Sequence, residues 1–472
     1  MSSATLKTNC LGFGELLAQG IALISPTMTA ALIIPVMFSN TGNWSWLSYA
    51  VGTAMLLFVA LNLNQFARRS TCSGSMYAYI SRGLGLTAGG IGGWSLIWAY
   101  LGISIAGVTG FSIFAGKLLA MVGINCPPIA LFALCVGAAW FCAWKNVQLS
   151  AMLMLVLEGA SMALIAFLCL VTLGQHGFKV DQSQFAVGVL PWSKLGLGVV
   201  VAIFSLVGFE CATAFGDEAK NPLSSIPRAV WMSLVISGAF FVFVTYVMVQ
   251  ATHGYSTSLD QIDAPLNVMA VLAHMPLLQA PLSAGAMVSF FALCLSCLNA
   301  GGRVIFAMGR HGLLHASTAD AHAENATPHV AVTVMAAIAF GVPTALVLFR
   351  CAPLDIFNWV GTLAAFGFLV PYFMISLAAP AYLKQLGQLK AQDVGLCLLS
   401  LGMLVIPAVG SVYPVPPAPV RYFPYLYLAY LAAGVTWIVV FHRTQPNAQA
   451  QIRQDLDLAH DRHQAAAVQQ AA

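Results

Sequence analysis

Glu210 and Glu158 stand deep inside long apolar runs of this 472-residue chain. Glu210 closes the triplet Gly208-Phe209-Glu210 within VVAIFSLVGFECATAFGDEAKNPLSSIPRAV, residues 200–230. Glu158 lies in MLMLVLEGASMALI, with no Lys or Arg near it in sequence. A charged side chain at membrane depth costs about 2.5–3.5 kcal/mol on insertion scales. A run that keeps a carboxylate therefore has a use for it: taking up a proton, pairing with a cation or hydrogen-bonding a polar solute. Each acid also has a plainer alternative. Glu210 can snorkel beside a packing glycine, and Glu158 can accept a hydrogen bond from a hydroxyl of a neighbouring span. A third feature is Ser25-Pro26-Thr27, with Thr29 close behind, in the middle of the apolar run GFGELLAQGIALISPTMTAALIIP. Proline removes a backbone donor and breaks a helix, so this segment alone could be a simple kink.

The elements that must position these groups follow from composition. The chain is 60% hydrophobic and 7% charged, against about 25% charged in soluble domains. It is therefore a polytopic membrane protein. Apolar runs and loop punctuation predict twelve spans, at about 13–37, 44–64, 87–118, 128–144, 149–174, 196–216, 229–252, 282–307, 329–350, 355–379, 394–412 and 422–442. The run 87–118 is long enough to tilt strongly, and 128–144 is short and Cys/Ala-rich. No cleavable signal peptide is expected. With the N-terminus inside, 14 Lys and Arg fall on the cytoplasmic side and 5 on the outer side. This split predicts that both termini are cytoplasmic. The basic residues are scattered through loops, so the net charge of +4 points to no nucleic acid partner. The eleven Cys stand mostly singly in apolar spans and read as packing residues, with no disulfide or metal framework. The polar tail after Arg443 is assigned no function.

Spans one and six are both interrupted mid-span, and they lie five spans apart. Discontinuous helices in matching positions of two halves are the best sequence pointer to a transporter's binding site. The pairing of the two breaks outweighs the kink and packing-glycine alternatives for each alone.

The segment GFECATAFGDEAKNPLSSIPRAV, residues 208–230, resembles the G-F-E…E-x-K-N-P…I-P-R-A pattern of the amino acid–polyamine–organocation permease superfamily. FARRSTCSGSMYAYISRGLG, Phe66 to Gly85, is similar to the loop after the family's span two. LNAGGRVIFAMGRHGLLH, Leu298 to His315, is similar to its span-eight end, followed by Thr327-Pro328-His329 before span nine. The likeness covers spans one to ten in order and is that of a bacterial amino acid permease. It implies an all-α, LeuT-type 5+5 inverted-repeat fold with spans one and six discontinuous. In that arrangement residues 1–12 form a cytoplasmic tail, 13–175 and 196–380 the two repeats, 394–442 spans eleven and twelve, and 443–472 a second cytoplasmic tail.

The resemblance also implies a central site between the two breaks, bounded by spans three and eight. Free N–H groups of a half-helix would hold an anionic group there. In span one they would come from Thr27, Met28, Thr29 and Ala30, next to Ser25. Pro26 stands where the family commonly has glycine and gives no N–H, but it suits the first turn of a half-helix. The Thr27 and Thr29 hydroxyls either face the site or bond back to the preceding turn. In span six the carbonyls of Leu206, Val207 and Gly208 would accept an ammonium, and Phe204 matches a position where an aromatic closes over substrate. Ile103, Ala106, Gly107 and Ala292 suggest small residues, some room and no ion partner. A neutral or apolar substrate side chain is thus slightly favoured. Glu210 and Glu158 are candidates for coupling, with hydrogen bonding of Glu158 to span one or eight as its alternative. Asp217 and Glu218 could pair with Arg69, Arg303 or Arg310 as an inner gate. One expected span-eight hydroxyl is missing beside Ser296, which weakens sodium coupling.

The function these features imply is a secondary permease for an amino acid or related amine in the cell (inner) membrane, driven by protons or exchange. A polyamine carrier and a sodium symporter are the alternatives. A channel would show a pore loop or a ring of like charge, and none is evident. No His/Asp/Glu cluster, phosphate loop or nucleophile motif suggests an enzyme. No metal or organic cofactor is implied, and the expected partners are a small-molecule substrate, the bilayer and a coupling proton.

Overall fold

A computed structural model of the chain describes residues 6–70, 74–186, 192–444 and 452, and these are helical almost throughout. Among the described residues, eleven helical stretches are long and apolar enough to cross a membrane. The first, Phe13–Ala67, has 55 residues, about 80 Å of helix at 1.5 Å per residue. The hydrocarbon layer is only about 30 Å thick. Gly42, at φ +56° and ψ −131°, divides this stretch, and a tight turn over Gly42–Trp44 leads into the helix Ser45–Ala67. The stretch thus holds spans one and two.

The remaining spans are three, Leu86–Met121; four, Pro128–Lys145; five, Val147–Gln175; seven, Pro222–Ala251; and eight, Gln279–Arg310. Spans nine to twelve are His329–Leu348, Pro353–Gln385, Ala391–Gly410 and Phe423–Thr444. Span six combines the helix Trp192–Leu206 with a tight 3-10 turn over Phe209–Ala214. Two further helices, Met76–Leu84 and Pro265–Leu272, lie in what reads as loop by hydropathy. They are too short to register as spans, yet the first buries Met76, Tyr77, Tyr79 and Ile80.

Both expected interruptions are present. Span one runs as a helix over Phe13–Ile24 and breaks at Ser25, whose backbone is left-handed at φ +52°. Few non-glycine residues take this conformation, and it costs about 1–3 kcal/mol. Pro26 then opens the second half, a position where its fixed φ fits and its missing N–H costs nothing. A wide π-type turn follows over Thr29–Ile33, in which Ile34 N–H reaches back five residues to the Thr29 carbonyl. Pro35 has no N–H to continue the regular ladder there.

Between spans five and six, Asp181 accepts from Ser183 N and Oγ and from Gln184 Nε2, and it stands 3.2 Å from His253 Nδ1. Burial alone would raise the Asp181 carboxyl. The hydrogen bonds from Ser183 and Gln184, with His253 beside it, instead hold it below the ordinary carboxylate value. A depressed carboxyl stabilises above its unfolded pKa, and that stabilisation is lost as pH falls through its folded value. The protection factor of the Ser183 amide should therefore fall on acidification, and Asp181→Asn should remove that pH dependence. Identical protection profiles in the two proteins would show that the carboxylate does not hold the loop.

Candidate functional site

The second half of span one presents its first donors toward span five. Pro26 has no N–H, so Thr27 supplies the first, and it donates to Glu158 Oε1 at 3.1 Å. Glu158 is only 2% exposed, and its second oxygen has no hydrogen-bond partner. The Thr27 and Thr29 hydroxyls are buried and equally unpartnered, so neither bonds back to its own helix. Thr29 N–H closes on the Ser25 carbonyl at 3.2 Å. This corrects the expected donor set, because Thr29 belongs to the helix ladder and Thr27 is already engaged. Ser25 Oγ lies 2.9 Å from Ser289 Oγ of span eight, which ties the break to that span.

The span-six break lies against the span-one break. Gly208 sits at φ +98°, and a β-carbon built on it would lie 1.8 Å from Leu23 Cδ2. Gly208 N–H donates to Glu210 Oε2 at 3.1 Å. Glu210 also accepts from the Tyr100 hydroxyl of span three at 3.0 Å and from the Tyr372 hydroxyl of span ten at 2.7 Å. The fully buried Glu210 carboxylate is thus saturated by donors from three elements and holds the unwound segment open. Gly208's carbonyl accepts from Cys211 N–H at 3.0 Å, so it is not the free ammonium acceptor expected from the sequence. Leu206 and Val207 remain as carbonyl candidates beside it.

Among the expected lining residues, Ile103, Ala106 and Ala292 are buried and Phe204 is half-buried. Gly107 does not provide room, because a β-carbon there would stand 3.0 Å from both the Phe290 carbonyl and Cys294 N. It lets spans three and eight pack backbone to backbone. Ser296 Oγ donates to the Gln19 carbonyl at 2.9 Å, bonding span eight to span one just before the break.

At the exit of span six, Glu218 and Arg303 pair with both buried. Arg303 Nη2 donates to Glu218 Oε1 at 2.6 Å, Nε bonds Oε2, and Nη1 donates to the Asn299 carbonyl at 2.8 Å. The guanidinium also stacks 4.3 Å from the Phe215 ring centroid. The Glu218 carbonyl accepts Cys10 and Leu11 N–H at 2.8 and 2.9 Å, so the N-terminal segment is stitched to the same point. Asp217 is half-buried next to the pair. Arg69 donates instead to Gln65 and Gln388, so the structure does not bring it to Glu218.

Sequence reasoning missed Tyr100, Tyr372 and Ser289. Each is a polar side chain in the middle of an apolar span, and that pattern could have flagged them.

Residues 15–445, nearly the whole chain, match the amino acid permease family. The chain belongs to that family. The branched-chain amino acid permease BcaP of Bacillus subtilis is 23% identical over 431 residues, 85% of this chain and 84% of that protein. BcaP of Lactococcus lactis is 29% identical over 333 residues, 66% of this chain and 70% of that protein. The low-affinity putrescine importer PlaP of Escherichia coli is 26% identical over 241 residues, 49% of this chain and 51% of that protein. The structure of MhsT in complex with L-phenylalanine shares the fold at a TM-score of 0.58 and 15% identity, covering 86% of this chain and 99% of MhsT. The permease therefore has the LeuT-type architecture, with spans one and six discontinuous. It is a multi-pass membrane transporter and not an enzyme.

Proposed function

We propose that the permease is a secondary active transporter that moves an amino acid with an apolar side chain across the cell membrane by alternating access, driven by protons or by exchange. The observation that carries this is the pair of adjacent breaks. They leave Glu158 Oε2 and Thr27 Oγ1 buried, unpartnered and next to the open end of a half-helix. Buried polar atoms are normally satisfied, so a ligand group is the natural partner. The α-carboxylate would sit at Thr27 and Met28, the ammonium at the Leu206 and Val207 carbonyls, and the side chain against Ile103, Ala106, Ala292 and Phe204. Glu210 anchors the span-six break, and the Glu218–Arg303 pair closes the inner end. Both termini are cytoplasmic, and residues 13–175 and 196–380 act as the two repeats.

Branched-chain amino acids are the first substrates to test, since two relatives carry that name and the lining is apolar. An amine without a carboxylate is the second reading, favoured by the unpartnered Glu158 oxygen, which suits an ammonium. Purified protein in liposomes should accumulate labelled L-leucine, and unlabelled L-isoleucine and L-valine should compete. Competition by putrescine but by no amino acid would reverse the two readings. An imposed pH gradient, inside alkaline, should raise the initial rate if protons drive uptake. Acceleration only by internally loaded amino acid would assign exchange.

A further inference from the structure

Glu158 stands where the substrate's carboxylate is expected. Pro26 leaves Thr27 as the first N–H of the half-helix, and that donor is spent on Glu158 Oε1 at 3.1 Å. The half-helix is continued by the wide turn and by Ile34–Thr41, so the donor ends a helical run of several turns. The groups that face the carboxylate are Thr27 of span one and Ser289 of span eight. Among the described residues, no ionised side chain from spans one, four, seven or eight, or from the helix Pro265–Leu272, acts on it. The other Glu158 oxygen and the Thr27 hydroxyl are buried without partners.

Two carboxylates cannot share one donor in a water-poor site, because like charges at that distance disfavour each other's ionised form. We propose that Glu158 is an internal competitor of the substrate carboxylate, and that its protonation admits the substrate. The inference rests on the amino acid reading above. In the empty carrier the Glu158 carboxylate caps the half-helix. A proton then binds at Oε2, forming an O–H that the Ser289 or Thr27 hydroxyl accepts. The neutral carboxyl is a weaker acceptor and yields Thr27 N–H, which the substrate carboxylate takes. The loaded site carries a neutral Glu158 and a zwitterion. After substrate leaves on the other side, the proton leaves and Glu158 returns to the amide. Each amino acid therefore brings one proton, and the empty carrier needs none to reset.

The test counts protons on binding, with purified protein in weakly buffered detergent, a pH-indicator dye and saturating L-leucine. Scintillation-proximity affinities are measured across pH in parallel. Wild type should take up one proton per L-leucine bound. Its affinity should fall about tenfold per pH unit above the carboxyl's titration, as one linked proton requires. Glu158→Gln, a neutral isostere, should bind at the wild-type low-pH affinity at every pH and take up no proton. It should lose uptake driven by a pH gradient. Glu158→Asp, which reaches the amide less well, should bind more tightly than wild type at high pH, so the idea stays testable if the Gln variant does not fold. An unchanged proton count in Glu158→Gln, or an Asp variant identical to wild type, would overturn the competition. Loss of binding at every pH in folded Glu158→Gln would also overturn it, and would mean that Glu158 pairs with the ligand's ammonium. If wild type binds neither L-leucine nor L-isoleucine nor L-valine, the amino acid reading fails and the competition with it. Binding with the wrong proton count sinks the competition alone.

Discussion

Gly208→Val should abolish substrate binding while leaving protein in the membrane. Two independent observations set the size of this effect. Gly208 sits at φ +98°, a conformation that costs a β-branched residue about 1–3 kcal/mol or more. A β-carbon there would also lie 1.8 Å from Leu23 Cδ2, just before the span-one break. Leu23 is 2% exposed and has little space into which to retreat. Relief must come from rewinding span six or pushing span one away, and either takes the two breaks out of the register that would hold a substrate between them. Phe204→Ala should do less, about a ten- to hundredfold loss of affinity, from losing about 1.5–3 kcal/mol of aromatic burial. Thr27→Ala should do least, because its backbone donor survives. Scintillation-proximity binding on purified, monodisperse variants checks the series. Normal binding by Gly208→Val would place the site elsewhere.

Arg303→Ala should be the most destabilising single change outside the breaks. Arg303 and Glu218 are 1% and 0% exposed, and removal of the guanidinium leaves Glu218 charged and buried. Breaking such a pair costs about 3–5 kcal/mol, whereas replacing both partners with apolar residues of similar volume is often near neutral. The double variant Arg303→Met, Glu218→Leu should therefore recover most of the thermal stability. If the pair closes the inner end of the pathway, the double variant should still fail to concentrate substrate against a gradient. Thermal unfolding and uphill uptake, measured on the same preparations, separate the two roles. Full recovery of both would make the pair purely structural.

Much of this is legible in the sequence. Apolar runs marked the spans to within a few residues except at the start of span seven, Pro222–Ala251, and the end of span ten, Pro353–Gln385, because length and hydropathy are local properties. The two breaks were visible because Ser25-Pro26 and Gly208 are backbone signals that act where they stand. Glu158 was legible as an outlier with two uses, and the structure bonds it to the span-one backbone at Thr27, with the Thr27 and Ser289 hydroxyls facing it. The partners of Glu210 were not legible. Tyr100 and Tyr372 lie 110 and 162 residues from it, and nothing in local sequence says that spans three and ten converge on the span-six break. Gly107 read as space because a missing side chain looks like room, whereas here the backbone of span eight fills it. Arg69 read as a gate residue because it is basic and near a membrane end, but the Gln65 and Gln388 amides take its hydrogen bonds.

The central claim is that an amino acid binds between the two breaks and displaces Glu158 from Thr27. A cryo-electron microscopy map of the purified permease at low pH in saturating L-leucine tests it most directly. The predicted result is density beside Thr27 and Met28 on one side and the Leu206 and Val207 carbonyls on the other, with the Glu158 carboxyl withdrawn from the Thr27 amide. Ordered L-leucine at any other place in the bundle, or at this place with Glu158 still on Thr27 N–H, would contradict it.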